Sequence, residues 1–142
     1  MQPRNARNSD FRGVYSALAL GNFIVTSPGI PPGPTARVGR VETDGDGNAT
    51  IVATLSLNGT ILSEDYGGTY TVNADCTMSV TLLIPFPGTP GPIPFTFSGM
   101  LADDGHQSEI ILLDPPGSTV RIKLRKQHNL TAPAMTSPEV IY

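Results

Sequence analysis

The sequence predicts an all-β chain folded as an eight-stranded antiparallel up-and-down barrel, on three observations. Eleven of the fourteen prolines sit in three clusters: four in Pro28–Pro34, five in Pro85–Pro94 and two in Asp114–Gly117. Between the clusters the chain is β-branched and apolar with period-two alternation, as ladder hydrogen bonding requires, and no helical period with caps is found. The remaining joints carry residues that tolerate positive φ, namely Asp-Gly-Asp-Gly-Asn, Asn-Gly, Asn-Ala-Asp-Cys and Asp-Asp-Gly-His.

The elements follow from the N-terminus. Strand one is expected over about Arg12–Thr26, strand two over Thr35–Thr43 and strand three over Asn48–Leu57. Strand four, Thr60–Asn73, is long and carries Gly67-Gly68 at its middle, which reads as a bulge or a bend rather than a turn. Strands five to eight are expected over Thr77–Ile84, Ile93–Leu101, Gln107–Leu113 and Ser118–Lys126. An even number of hairpin-linked strands lets the first and last pair, which removes both sheet edges. In that arrangement all three proline clusters fall at one end and the aspartate-glycine turns at the other. One elaborated end and one tightly stitched end suggest a cup with a mouth. Residues 1–127 are read as one domain and 128–142 as a tail that is loose or docks on a neighbouring subunit.

Composition narrows the function. Charged residues make up 15% of the 142 and the net charge is −3, with no basic stripe interleaved with aromatics, so nucleic acid is not an expected partner. The longest apolar runs, such as Leu82–Phe86, are too short for a membrane-spanning helix. Cys76 is the single cysteine, which rules out an intrachain disulfide, and it reads as a turn residue. The N-terminal stretch reads as a polar leader into strand one, with a cytoplasmic location expected, or a secreted one if a signal peptide has been removed. There is no Ser-His-Asp set, G-x-S-x-G, P-loop or dinucleotide fingerprint, and no metal or cofactor is expected. The Asp-Gly-Asp-Gly-Asn stretch echoes a calcium loop but lacks its glutamate.

Alternation assigns the interior. Strand three turns in Ile51, Ala53, Leu55 and Leu57; strand five turns in Met78, Val80, Leu82, Ile84 and Phe86. Strand six turns in Phe95, Phe97 and Leu101, and strand eight Val120, Ile122 and Leu124. Tyr66, Tyr70, Leu82, Ile84, Phe86, Phe95, Phe97 and Ile122 are thus the candidate ligand-binding residues. If Gly67-Gly68 keeps register, Glu64 shares a face with Leu62, Tyr66, Tyr70 and Val72 and is a candidate catalytic carboxylate. The alternatives are that a slip at the glycines turns it outward, or that it pairs with Arg37 or Arg40. Glu109, beside Ile111 and Leu113, poses the same choice, and Tyr15 presents either a phenol near the mouth or a packing side chain. Strands one and seven are apolar on both faces, which implies an outer patch covered in a homo-oligomer, a dimer or trimer.

The order Gly-Thr-Tyr-Thr-Val-Asn-Ala-Asp-Cys-Thr (Gly68–Thr77), then Phe97–Gly105, then Ser108–Gln127 resembles a group of small bacterial β proteins. The resemblance covers roughly Gly39–Gln127; that group often has glycine after the Cys-Thr, where this chain has Met78. In architecture it is similar to allene-oxide-cyclase-like and dirigent-like barrels, and more distantly to lipocalins. The resemblance implies a small hydrophobic ligand, cofactor-independent cyclisation or isomerisation of a natural-product-like intermediate, and dimers or trimers; it carries over no catalytic residue. The alternatives are a carrier without turnover and a structural barrel with a filled core.

Overall fold

A computed structural model describes residues 5–24, 32–86 and 88–127. Eight strands run β1 (Arg12–Phe23), β2 (Gly33–Asp44), β3 (Asn48–Leu57), β4 (Thr60–Val72), β5 (Thr77–Ile84), β6 (Ile93–Ala102), β7 (Gln107–Asp114) and β8 (Thr119–Lys126). Each pairs antiparallel with its sequence neighbours, and β8 closes on β1 through Tyr15↔Lys126 to Asn22↔Thr119. The expected up-and-down barrel is the fold. The predicted bounds of β3 and β5 match the strands, and those of the other strands differ by a few residues; residues 25 and 26 of the predicted strand one lie outside the described residues.

The up-and-down order sorts the connections. Those after β1, β3, β5 and β7 lie at one end, the mouth, and those after β2, β4 and β6 at the other. The second end is tightly hydrogen-bonded. Asp44 accepts from the Asp46 and Asn48 amides at 2.7 and 3.0 Å and from Asn48 Nδ2 at 2.8 Å. Those bonds stabilise the ionised carboxylate and hold it below the usual carboxylate range. In Gly68–Thr77 the turn closes through Asn73 N to Thr77 O (2.8 Å) and Cys76 N to Asn73 O (3.0 Å). Asp75 Oδ1 accepts from the Thr77 hydroxyl at 2.6 Å, and Cys76 adopts φ 72°. This stretch is a corner between two strands.

Gly67-Gly68 carries no bulge. β4 stays in unbroken register with β3 from Thr60 to Thr69 and with β5 from Gly68 to Val72. A Cβ on Gly68 would lie 2.3 Å from the Thr81 carbonyl oxygen, so glycine is needed where the two backbones crowd together. The register irregularity lies instead between Thr96 and Phe97, opposite β7.

Alternating residues fill the interior, and each end has its own aromatic cluster. At the stitched end Phe11 arrives ahead of β1 and packs its ring 4.7 Å from Tyr15 and 4.9 Å from Tyr70, centroid to centroid. The Tyr70 hydroxyl donates to the Phe11 carbonyl at 2.7 Å and accepts from the Gly45 amide at 2.8 Å. Tyr15 donates to the Gly105 carbonyl, and Asn8 Oδ1 accepts from the Val72 amide at 2.7 Å. These contacts make a floor. Near the mouth Phe23, Phe86 and Phe95 meet at 5.6–6.1 Å.

Candidate functional site

Between the two aromatic clusters the apolar interior is broken by one ion pair. On β2, alternation turns Thr35 and Arg37 inward, and on β4 it turns Leu62, Glu64 and Tyr66 inward. β3 lies between them, with Leu55 opposite Arg37 and Ala53 opposite Glu64. Arg37 has the length to cross β3, and the small Ala53 side chain leaves room beside the carboxylate. Its Nε donates to Glu64 Oε1 at 2.6 Å and its Nη2 to Oε2 at 3.2 Å, a two-pronged bond. The side chains are only 8% and 3% exposed, so the pair is effectively out of water.

Its surroundings are specific. The Arg37 guanidinium carbon lies 6.0 Å from the centre of the Phe86 ring, at the outer limit of a cation–π contact. Tyr66 follows Glu64 on the same inward face; burial pushes its phenol up to about 12, Arg37 pulls it back and Glu64 adds to the rise. At neutral pH Tyr66 is therefore an un-ionised donor. Thr35 is 5% exposed, and its hydroxyl has no hydrogen-bond partner among the described residues.

The β4–β5 ladder is incomplete beside this group. β4 pairs with β5 only from Gly68 to Val72, so its mouth half, Thr60–Gly67, is laddered to β3 alone. Leu62 and Tyr66 are half-buried there, as is Ile93 at the start of β6. The ion pair thus lies behind the stretch of β4 that β5 does not pair.

The predicted site residues separate into three groups. Glu64 and Tyr66 come together inside, with Arg37 as the partner; Arg40 instead lies beside Glu42, at 3.3 Å. Leu82, Ile84, Phe86, Phe95 and Phe97 are buried on the inner wall, and Ile122 is half-buried against it. Tyr15 and Tyr70 belong to the floor; Tyr15 is wholly buried far from the mouth, because β1 enters the barrel at the stitched end. Glu109 faces out. Its side chain is 76% exposed and lies 3.8 Å from Lys123, while Ser108, one residue earlier, turns inward and bonds Met78 Sδ. Sequence reasoning missed Phe23 and Thr35; the alternation of Thr35, Arg37, Val41 and Thr43 along strand two held the signal for Thr35.

The expected apolar outer faces of β1 and β7 are present, with Leu18, Leu20, Ile111 and Leu113 between 39% and 57% exposed. A cleft of about 420 Å3 lies on this side of the barrel, and one of about 780 Å3 runs around the mouth end from Leu112 and Ser118 past Asn22 and Thr35 to Gly59; both include Leu20, Ile111 and Arg121. No group of three or more His, Cys, Asp or Glu among the described residues is placed to hold a metal ion, and no helix among them is long and apolar enough to cross a membrane. No protein-family model matches the chain, and no curated protein matches its sequence, so the barrel and this buried pair are what a functional reading has to rest on.

Proposed function

We propose that the protein is a binding barrel for a small, mainly apolar molecule. The ligand enters past the mouth half of β4, which β5 does not pair, and places a polar group at Thr35, Arg37, Glu64 and Tyr66. The carrying observation is the Arg37–Glu64 pair, the buried charges of a mainly apolar interior among the described residues. Such a pair replaced by apolar side chains of equal volume generally leaves a fold as stable or more so, so stability gives little reason to keep it. Polar recognition in a dry site gives one. The test is saturable binding of the apolar fluorophore N-phenylnaphthylamine to the folded chain. Leu62→Trp, which crowds the half-buried inner face of that stretch of β4, is expected to abolish it. A parent protein with no saturable enhancement ends this reading and leaves a structural barrel.

A second reading, cofactor-independent isomerisation or cyclisation in the manner of allene-oxide-cyclase-like barrels, is supported by one observation. A carboxylate and an un-ionised phenol, Glu64 and Tyr66, share the inward face two residues apart. Each Glu64 oxygen accepts one bond from Arg37, so an abstracted proton goes to a remaining lone pair of a carboxylate already paired with a guanidinium. Loss of turnover with retained binding in Glu64→Gln supports the enzyme; unchanged behaviour leaves a carrier.

A further inference from the structure

The ion pair also restricts what kind of molecule the site takes. Arg37 and Glu64 are the charged side chains in the buried set of the described residues, and they neutralise each other. The dry site has no net charge to offer an ion, and a ligand carboxylate on Arg37 would face the Glu64 carboxylate across the same guanidinium.

Its hydrogen-bonding capacity is lopsided as well. Each Glu64 oxygen accepts one bond and keeps a further lone pair, whereas a guanidinium carries five N–H groups and Glu64 takes two of them. The Thr35 hydroxyl is buried and unpartnered among the described residues, and the Tyr66 phenol carries its proton at neutral pH. Donors outnumber the acceptor positions left open.

Resting on the binding-barrel reading, we propose that the ligand is an uncharged apolar molecule bearing hydrogen-bond acceptors — carbonyl, ester, lactone, ether or epoxide oxygens — which Thr35 and Arg37 engage. Thr35 selects against a bare hydrocarbon, because it leaves a buried hydroxyl unsatisfied. The Arg37–Glu64 pair selects against an acid, because it supplies no uncompensated positive charge.

The experiment is displacement of N-phenylnaphthylamine from the full chain at neutral pH by methyl decanoate, sodium decanoate and decane. Methyl decanoate is expected to bind more tightly than sodium decanoate by about tenfold or more, and more tightly than decane. Thr35→Val keeps the shape and removes the hydroxyl; it is expected to weaken methyl decanoate by about three- to tenfold and leave decane unchanged. Decanoate binding as tightly as its ester overturns the proposed class while leaving the binding barrel intact. Decane binding as tightly as the ester, or an ester indifferent to Thr35→Val, does the same. Fluorophore binding that none of the three competes also overturns the class, and no fluorophore binding at all overturns both.

Discussion

Removing Arg37 alone should do more damage than removing Arg37 and Glu64 together. In Arg37→Met the Glu64 carboxylate, 3% exposed, loses both bonds and keeps no cation beside it. An isolated buried carboxylate avoids its desolvation cost by taking up a proton. For a glutamate with an ordinary unfolded-state value near 4.3, that uptake costs about 3.7 kcal/mol at pH 7 and about 1 kcal/mol at pH 5. The first figure lies within the roughly 3–5 kcal/mol seen when one partner of a buried pair is deleted. At about 4 °C per kcal/mol for a barrel of this size, Tm falls by about 15 °C at pH 7 and by only about 4 °C at pH 5. The sign follows from linkage: the variant's folded state holds a proton that its unfolded state releases, so its deficit grows as pH rises. Arg37→Met/Glu64→Leu, with no charge left inside, is expected within about 1–2 kcal/mol of the parent or above it. Urea unfolding followed by circular dichroism at both pH values, on the parent, the two single variants and the double variant, measures all of these. An Arg37→Met deficit below about 1 kcal/mol at pH 7, or one indifferent to pH, refutes the dry pair. A double variant as unstable as Arg37→Met makes the pair structural and removes the ground for the proposed function.

Other expectations follow from the same geometry. Tyr66 is pushed up to about 12 and Tyr15 and Tyr70 are also raised, all chiefly by burial, so the folded chain holds phenolic protons that the unfolded chain releases. Stability is therefore full below pH 10 and lost progressively as pH rises toward about 12; phenolate absorbance should appear together with unfolding, and Tyr66→Phe should flatten the decline. Phe11→Ala opens a hole between Tyr15 and Tyr70 beneath a residue 2% exposed, at a cost of about 3–5 kcal/mol in chemical denaturation. Glu109→Gln breaks only a solvated 3.8 Å pair with Lys123 and should shift stability by no more than about 0.5 kcal/mol and leave fluorophore binding unchanged.

The barrel was legible because its punctuation is strict. Prolines bar ladder pairing where they cluster, and the strands between them alternate with period two, so few other topologies close. Glu64 turned on one question that alternation alone left open, whether Gly67-Gly68 inserts a residue. Regular pairing through the glycines keeps Glu64 inside, where its partner is one of the two arginines weighed for it. Glu109 lies in Glu-Ile-Ile-Leu-Leu, apolar on both faces, where period-two reasoning has no contrast to use; the structure gives the inside to Ser108. Tyr15 depends on which way β1 runs relative to the mouth, and the floor that receives its hydroxyl is built from Gly105, ninety residues away. The unpaired half of β4 was out of reach because it follows from strand stagger, β4 outrunning its pairing with β5, and side-chain patterns carry no record of stagger.

The bonds of the floor join residues far apart in the chain: Asn8 to Val72, Phe11 to Tyr70, and Tyr15 to Gly105. No single hairpin brings any of these pairs together, so each waits on the wrapping of at least four strands and belongs to a late stage of ordering. The amides of Gly45 and Val72, held by a phenol and an asparagine from that base, then exchange deuterium only when the whole molecule opens. They serve as clocks for the circle as a whole, whereas the amides of individual turns report only local fraying.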